Sequence, residues 1–255
     1  MKITMAQSAG QMDDPESNYS KVKMVVGNID ADLFVFPEMF LCGYVGTKER
    51  MYTKVVEERV IDKLKEYSKK RDCAIICGGP RSDSDKIHNS AYFINGDDVR
   101  AYDKIHLSSG AVCEKDLYAP GNSPSIIDHK GLRFGLAVSR DLYFPELFRY
   151  YANNDVDIIV CISAASEETM KDHEKLIAAR AVENSVYILF VNMVGPIQGG
   201  TAIGRSRWVS PKGEILEGCT ESSDVRQLRI DDQEIKSAKT GRSVLKEVRR
   251  DINWN

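Results

Sequence analysis

The stretch Gly135-Leu136-Ala137-Val138-Ser139-Arg140-Asp141-Leu142-Tyr143-Phe144-Pro145-Glu146 contains the end of a strand, a short turn and the start of a helix. The apolar run over residues 134–138 predicts a buried strand that stops at the hydroxyl residue Ser139. Pro145 suits a first helical turn, and Glu146 suits the positive end of the helix. Because α/β enzymes present nucleophiles at such strand-to-helix turns, Ser139 is a candidate nucleophile. An ordinary loop serine is the alternative.

The bulk composition indicates a globular enzyme-sized chain. Its 255 residues are enough for one large α/β domain, and without linkers or repeats we predict a single domain over residues 1–255. With 35 Lys plus Arg and 38 Asp plus Glu, the net charge of −3 argues against nucleic-acid or membrane-surface partners. The amino terminus lacks a signal-peptide pattern and no apolar run is long enough to span a membrane, so we predict a cytoplasmic protein.

The cysteines and histidines do not follow a metal-binding pattern. The six cysteines lack the paired Cys-x-x-Cys spacing of zinc sites, and we expect reduced thiols. His88, His129 and His173 form no ligand set with cysteines or acids. We therefore predict neither a metal nor a cofactor.

Apolar periodicity along the chain alternates between strands and helices. This alternation, with added hairpins, predicts an α/β fold with a mixed sheet, in which two layers of strands are covered by helices. Predicted strands cover residues 2–7, 33–36, 74–77, 88–94, 99–103, 125–127, 132–138, 157–162, 186–191, 203–209, 214–216 and 225–230, and predicted helices cover 15–29, 57–70, 145–153 and 171–184 and begin again at 231.

Three reactive residue types each follow a predicted strand: Glu38, Lys104 and Ser139. Carboxyl ends of strands are where such folds build their sites. Amide cleavage needs a nucleophile, a proton acceptor and a group that stabilises the oxyanion, and a buried Glu with a Lys can supply the last two. Taken singly, Glu38 is better explained as a helix-capping acid, Lys104 as a surface cation and Glu114 as an exposed loop charge.

Several motifs, in order and with their spacing, resemble the nitrilase superfamily of carbon–nitrogen hydrolases over nearly the whole chain. Each is weak alone, but the set is specific. The motifs are Phe36-Pro37-Glu38 with Gly43-Tyr44, Tyr102-Asp103-Lys104-Ile105-His106-Leu107, Glu114 with Tyr118-Ala119-Pro120-Gly121, Arg180-Ala181-Val182-Glu183-Asn184 and Ser210-Pro211-Lys212-Gly213.

The resemblance implies a four-layer α-β-β-α sandwich with mixed sheets and the hydrolysis of a small amide or N-carbamoyl compound, with a nitrile less favoured. It implies that Glu38 is the general base, Lys104 an oxyanion-binding residue and Glu114 the acid that orients Lys104. It also implies a homodimer or higher homo-oligomer, with the basic carboxy-terminal tail as a dimer arm or a solvated helix face. The substrate-binding candidates are Tyr44, Arg140 and Ala164.

The chain departs from the family at the candidate nucleophile, since the family has Cys where this chain has Ser139. Either the serine is a replacement that silences the enzyme or traps a ligand, or it is natural; the completeness of the other motifs favours an inactivating replacement. A catalytically silent protein that binds a ligand or a protein partner is the alternative function. A serine-using enzyme is weaker, because an alcohol ionises far less readily than a thiol.

Arg140 follows the candidate nucleophile, where the family usually has Tyr. Its backbone N–H is expected to face the oxyanion. Its guanidinium can bind a substrate carboxylate in a two-point fork, or it can pair with a nearby acid such as Asp141 or Glu146.

Overall fold

A computed structural model describes residues 1–44, 53–109, 113–240, 243–249 and 251. Within these ranges the strands form two six-stranded mixed sheets and a separate two-stranded hairpin. The sheets pack face to face and helices cover their outer faces, which confirms the predicted α-β-β-α sandwich. None of the described helices combines the length and the apolar composition needed to cross a membrane.

The first sheet carries two of the predicted strand-end residues. Its central strands β1, β2 and β3 are parallel, whereas β14, β4 and β5 are antiparallel to their neighbours. In spatial order the strands are β14 (Asp224–Arg229), β1 (Lys2–Gln7), β2 (Leu33–Val35), β3 (Ala74–Asp83), β4 (Lys86–Asn95) and β5 (Asp98–Asp103).

The second sheet carries the strand that ends at Ser139. Strands β7, β8 and β9 are parallel, and the flanking strands are antiparallel. In spatial order the strands are β13 (Ile215–Gly218), β12 (Arg207–Val209), β9 (Tyr187–Asn192), β8 (Ile158–Ser163), β7 (Leu132–Val138) and β6 (Ile126–His129), while β10 (Val194–Ile197) and β11 (Gly200–Ile203) form the separate hairpin.

Two of the helices begin at local helix-start signals. The Asp14 side chain accepts a hydrogen bond from Ser17 N at the start of the first helix, and Pro145 opens the fourth. The helices are α1 (Pro15–Asn28), α2 (Thr53–Val55), which continues through a π-helical segment (Val56–Ile61) into α3 (Asp62–Arg71), α4 (Pro145–Asn153), α5 (Glu167–Asn184), α6 (Asp232–Thr240) and α7 (Ser243–Lys246).

The hydrophobic core follows the alternation of the strands. Ile3, Met5 and Leu33 belong to the cluster between the two sheets, together with Leu136. Phe34, one residue after Leu33, belongs to the cluster under α1–α3. Successive side chains of a strand point to opposite faces, so strands β1 to β5 of the first sheet contribute to both apolar layers, whereas the edge strand β14 contributes Leu228 to the layer between the sheets.

Four predicted boundaries are wrong. The helix predicted over 57–70 begins four residues earlier, at Thr53 in α2. β3 does not stop at Cys77 but continues through Gly78 and Gly79 to Asp83. The predicted strand over 203–209 is interrupted between β11 and β12, where Gly204 has a positive φ of 73°. Helix α5 begins at Glu167, four residues earlier than predicted. Ser166, whose backbone is extended, is its N-cap residue.

The predicted charged helix after residue 231 is confirmed by α6. The proposed dimer arm falls largely outside what the structure describes. Arg242 and Arg250 are outside the described residues, and so are the side chains of Lys236 and Lys239. The dimer arm therefore stays a prediction.

Candidate active site

The predicted strand-end residues meet at one cavity of about 480 Å³, at the edge where the two sheets adjoin. Glu38 follows β2, Lys104 follows β5, and Ser139 follows β7 and begins a 3₁₀ turn (Ser139–Tyr143). All three side chains line the cavity, and so do the substrate-binding candidates. Those candidates are Tyr44, Arg140 and Ala164.

The Lys104 ammonium lies between two carboxylates. Lys104 Nζ donates to Glu38 Oε1 and to Glu114 Oε1, both at 2.8 Å. The three side chains are buried, with at most 2 % of each exposed. A buried ammonium is tolerated when opposite charges and hydrogen bonds compensate its lost hydration. The arrangement therefore holds a positive charge at the cavity floor.

Glu114 lies behind Lys104, in a 3₁₀ turn (Glu114–Asp116). Besides Lys104, its Oε1 accepts a hydrogen bond from Tyr44 Oη at 2.7 Å, and its Oε2 accepts one from Ser108 N at 2.6 Å. The carboxylate is thus fixed at both oxygens. It holds Lys104 in position without itself lining the cavity.

Asn89 is a site residue that the sequence analysis missed. Its Nδ2 donates to Glu38 Oε1 at 2.7 Å and to Glu114 Oε1 at 2.9 Å. The one amide therefore bridges both carboxylates. The signal in the sequence is a polar Asn within the predicted strand that became β4, since a fully buried polar side chain must find partners.

The second oxygen of Glu38 is bound by the opposite sheet. Glu38 Oε2 accepts a hydrogen bond from Ala164 N at 2.9 Å, directly after β8. The backbone N–H of this substrate-binding candidate is therefore engaged by Glu38. Because Lys104 and Asn89 hold Oε1, the Glu38 carboxylate has one well-defined orientation at the cavity.

Burial and charge shift the pKa values of Glu38, Glu114 and Lys104 in different directions. Burial raises the pKa of Glu38 above its ordinary value despite the opposing charge of Lys104. For Glu114 burial acts the same way, but the charge and hydrogen bond of Lys104 outweigh it and lower the pKa. Burial opposes the charged form of Lys104, but the two carboxylates outweigh it and raise its pKa. Glu38 is thus the better proton acceptor near neutral pH.

Ser139 occupies a strained corner. Its φ is 44°, in the left-handed region that non-glycine residues seldom adopt. Ser163 Oγ, at the end of β8, donates to Ser139 Oγ at 3.2 Å. Within the described contacts no hydrogen bond joins Ser139 Oγ to Glu38. The corner exposes the serine to the cavity, as a nucleophile requires.

Asp141 anchors the turn that follows Ser139. Its fully buried carboxylate accepts hydrogen bonds from Val138 N at 2.9 Å and Tyr102 Oη at 2.8 Å, and it contacts the His106 ring nitrogen at 2.8 Å. His106 stacks on Phe144 with ring centroids 3.6 Å apart. These contacts give His106 a structural role in the turn.

Arg140 lines the cavity, and its guanidinium lies over the Tyr143 ring at 5.7 Å from the centroid. Among the described residues, no carboxylate lies within ion-pair distance of Arg140. Pairing with Asp141 or Glu146 is thus not seen, and Asp141 is bound by other partners. The guanidinium remains available at the rim of the cavity.

Nothing in the described part of the chain gathers three or more His, Cys, Asp or Glu side chains in a way that could hold a metal ion. Cys113, beside Glu114, is partly exposed. Cys161 is buried in β8.

Comparison with known proteins defines the class. The sequence profile of the family named Carbon-nitrogen hydrolase matches residues 2–240. The chain therefore belongs to the carbon–nitrogen hydrolases of the nitrilase superfamily. It is similar to an (R)-stereoselective amidase from a Pseudomonas species, with 28% identity across 98% of this chain and 92% of the relative. It is also similar to the omega-amidase YafV of Escherichia coli K12, with 29% identity across 93% and 91% of the two chains.

Solved structures share the fold. An amidase from Nesterenkonia superposes with a TM-score of 0.84 at 23% identity, covering 92% of each chain. A CN-hydrolase superfamily protein from Xanthomonas campestris, with an arsenic adduct in its active site, gives a TM-score of 0.87 at 18% identity, covering 99% of this chain and 98% of the other. A cysteine-to-serine mutant of the Nesterenkonia amidase is also similar, with a TM-score of 0.82 at 24% identity over 93% of this chain and 94% of that one.

Proposed function

We propose that the chain has the active-site frame of an amidase for the carbon–nitrogen bond of a small amide or N-carbamoyl compound, with Ser139 at the nucleophile position as an inactivating substitution. One observation carries the proposal: the Lys104 ammonium is held between two buried carboxylates at the cavity that contains Ser139. The amidase names of the relatives support amides over nitriles as the substrate class.

The proposed chemistry begins with a thiol at position 139. Glu38 takes the thiol proton, and the sulfur attacks the carbonyl carbon to form a tetrahedral oxyanion. Lys104 Nζ and the Arg140 backbone N–H stabilise that oxyanion. Glu38 then returns the proton to the leaving nitrogen, ammonia or an amine departs, and a thioester remains. Glu38 next takes a proton from water, whose oxygen attacks the thioester carbon; the carbon–sulfur bond breaks, the acid is released, and Glu38 returns its proton to the sulfur.

Each supporting residue has a proposed role that agrees with its contacts. Glu114 keeps Lys104 charged and oriented. Tyr44 and Ala164 bind substrate as parts of the cavity wall, and Ala164 also orients Glu38 through its backbone. Arg140 offers a guanidinium for a substrate carboxylate. We further propose one domain over residues 1–255, no cofactor, a homodimer or larger assembly and a cytoplasmic location.

Ser139 is proposed to silence this frame. A serine hydroxyl ionises much less readily than a thiol, and a carboxylate is a weak base for it. Among the described residues, the Ser139 hydroxyl is hydrogen-bonded to another hydroxyl, that of Ser163, rather than to a base. Loss of a nucleophile can lower the rate roughly a millionfold.

The test is ammonia release by the unmodified protein and by the Ser139→Cys variant, across small amides, N-carbamoyl compounds and nitriles. We expect little or no turnover from the unmodified protein and clear turnover from Ser139→Cys. Ser139→Ala is the matched control, because it removes the hydroxyl without adding sulfur. Turnover by the unmodified protein well above Ser139→Ala would instead indicate a serine nucleophile.

A second candidate is a catalytically silent protein that binds an amide or a protein partner. The observation that favours it is that position 139 carries no thiol, although the buried residues Glu38, Lys104 and Glu114 are held together beside it. If Ser139→Cys remains inert across the whole panel, this candidate replaces the enzyme proposal.

A further inference from the structure

One wall of the cavity is formed by the first turns of α5, and its polar groups have no part in the proposed chemistry. Glu168, Asp172 and His173 all line the cavity that also contains Ser139. Residues 168 and 172 are four apart on a helix and therefore lie on one face. The wall consequently presents two carboxylates to whatever occupies the cavity, and the imidazole of His173 is buried within the same wall.

His173 is a buried polar residue of this wall. The residue is fully buried, and neither ring nitrogen has a hydrogen-bond partner among the described residues. Its ring packs edge-on against Tyr143 and Phe190, with centroids 5.6 and 5.8 Å apart. A buried polar group without a partner costs roughly 1–3 kcal/mol, so a polar ligand group that reached it would be favoured.

The imidazole is neutral at physiological pH. Burial lowers its pKa to about 4, and the charge of Lys104 acts in the same direction. A neutral imidazole has one nitrogen that accepts a hydrogen bond. His173 therefore adds an acceptor to the wall without adding a positive charge that would oppose a cationic ligand.

The charges around the cavity favour a cation. Lys104 is already compensated by its two carboxylates, Glu38 and Glu114. Among the residues that line the rim of the cavity, Glu168 and Asp172 outnumber the single guanidinium of Arg140; Lys175, which pairs with Asp172, is 77 % exposed outside the cavity, where solvent screens its charge. Asp172 accepts from Tyr143 Oη at 3.3 Å and lies 3.6 Å from Lys175 Nζ, both near the solvent-exposed mouth. The remaining negative charge attracts a positively charged group into the cavity.

We propose that Glu168, Asp172 and His173 form a subsite for a protonated amine, so that the preferred substrates are small amides that carry an ammonium group. This inference rests on the proposed function, because it places the substrate in the same cavity. It is separate from the role of Arg140, which concerns a substrate carboxylate.

The experiment uses the unmodified protein with Ser139, which can bind an amide without consuming it. Calorimetry compares 4-aminobutanamide with pentanamide, in which a methyl group replaces the ammonium. We expect the ammonium compound to bind about tenfold more tightly, as one charge-assisted hydrogen bond at a partly exposed site would give. The Glu168→Gln/Asp172→Asn double variant should lose that preference, and Glu167→Gln, which removes a charge from the same helix outside the cavity, should keep it.

Imidazole NMR signals provide a second readout, since the chain has only four histidines. The His173 signals should move with 4-aminobutanamide and be absent from His173→Phe, which identifies them. Equal binding of the two amides, or a preference that survives the double variant, would overturn the subsite while leaving the proposed function intact. If neither amide binds and Ser139→Cys releases no ammonia, the proposed function fails and the subsite fails with it.

Discussion

At the scale of single residues, Asn89 shows how one buried amide can organise a site. It donates to both Glu38 and Glu114, the two carboxylates that hold Lys104. Two carboxylates beside one ammonium repel each other, and the Asn89 donors offset part of that repulsion. Asn89 is therefore a positioning residue, since it acts through the carboxylates rather than on the substrate.

We predict that Asn89→Leu in the Ser139→Cys background lowers kcat about tenfold to a hundredfold with little change in KM, because the carboxylates lose their shared donor. Steady-state ammonia release measures both constants. Asn95→Leu, at the exposed end of the same strand, is the control and should leave both unchanged. An unchanged kcat in Asn89→Leu would mean that Glu38, Lys104 and Glu114 keep their geometry without the Asn89 side chain.

Arg140 allows a second test at this scale. Its guanidinium has no ion-pair partner among the described residues, so it is available to a substrate carboxylate at the cavity rim. In the Ser139→Cys enzyme, Arg140→Ala should raise KM for an amide that carries a carboxylate about tenfold more than KM for a neutral amide of equal length. Arg140→Lys is the control, because it keeps the positive charge but cannot bind a carboxylate at two points as a guanidinium does. Equal losses on both amides would make Arg140 purely structural.

At the scale of elements, β3 positions the candidate general base. The strand runs directly beneath the segment that carries Glu38, and Leu41 N donates to Gly78 O at 2.9 Å. A Cβ at position 78 would lie 2.6 Å from the Glu38 Cα and would clash with the backbone N of Met39. Because Gly78 has no side chain, β3 can lie close to the segment that carries Glu38.

Gly78→Ala is expected to lower the free energy of unfolding by roughly 1–3 kcal/mol and to reduce kcat of the Ser139→Cys enzyme, because backbone and not a flexible side chain must move. Urea unfolding and ammonia release measure the two effects. Gly200→Ala, where a Cβ would meet nothing within 4 Å, is the matched control. A fully stable and active Gly78→Ala enzyme would show that the close approach is unnecessary.

At the scale of the whole molecule, buried titratable groups determine how stability depends on pH. The folded state lowers the pKa of His173 from an ordinary value of 6.5 to about 4, chiefly through burial. The unfolded chain therefore binds this proton more readily than the folded chain. The free energy of unfolding must then fall as the pH drops from about 6.5 towards about 4. Glu114, whose pKa is lowered, adds a further loss below its ordinary range.

We predict that His173→Phe flattens this dependence, removing roughly 3 kcal/mol of the decline between pH 7 and pH 4, the equivalent of the pKa difference. Urea unfolding at several pH values measures it. Glu167→Gln, changed at an exposed position of the same helix, should follow the curve of the unmodified protein. Parallel curves for His173→Phe and the unmodified protein would show that His173 is not protonated on unfolding in this range.

Local signals in the sequence were sufficient for much of the architecture. Apolar alternation predicted the strands, and Pro145 predicted where a helix begins, because helix starts and burial depend on neighbours a few residues apart. The order of the motifs indicated the family and pointed to Glu38, Lys104 and Ser139. All three residues follow predicted strands, and α/β folds place their sites at the carboxyl ends of strands.

Tertiary structure alone decided how these residues meet. Glu38 and Lys104 are 66 positions apart in the chain, and Glu38 and Ala164 are 126 apart, so no local pattern records their hydrogen bonds. The bridging role of Asn89, the continuation of β3 through Gly78 and the shifted pKa values all depend on packing between distant segments. Burial and charge at the site are properties of that packing, which is why the sequence could indicate the reacting groups but not their geometry or protonation.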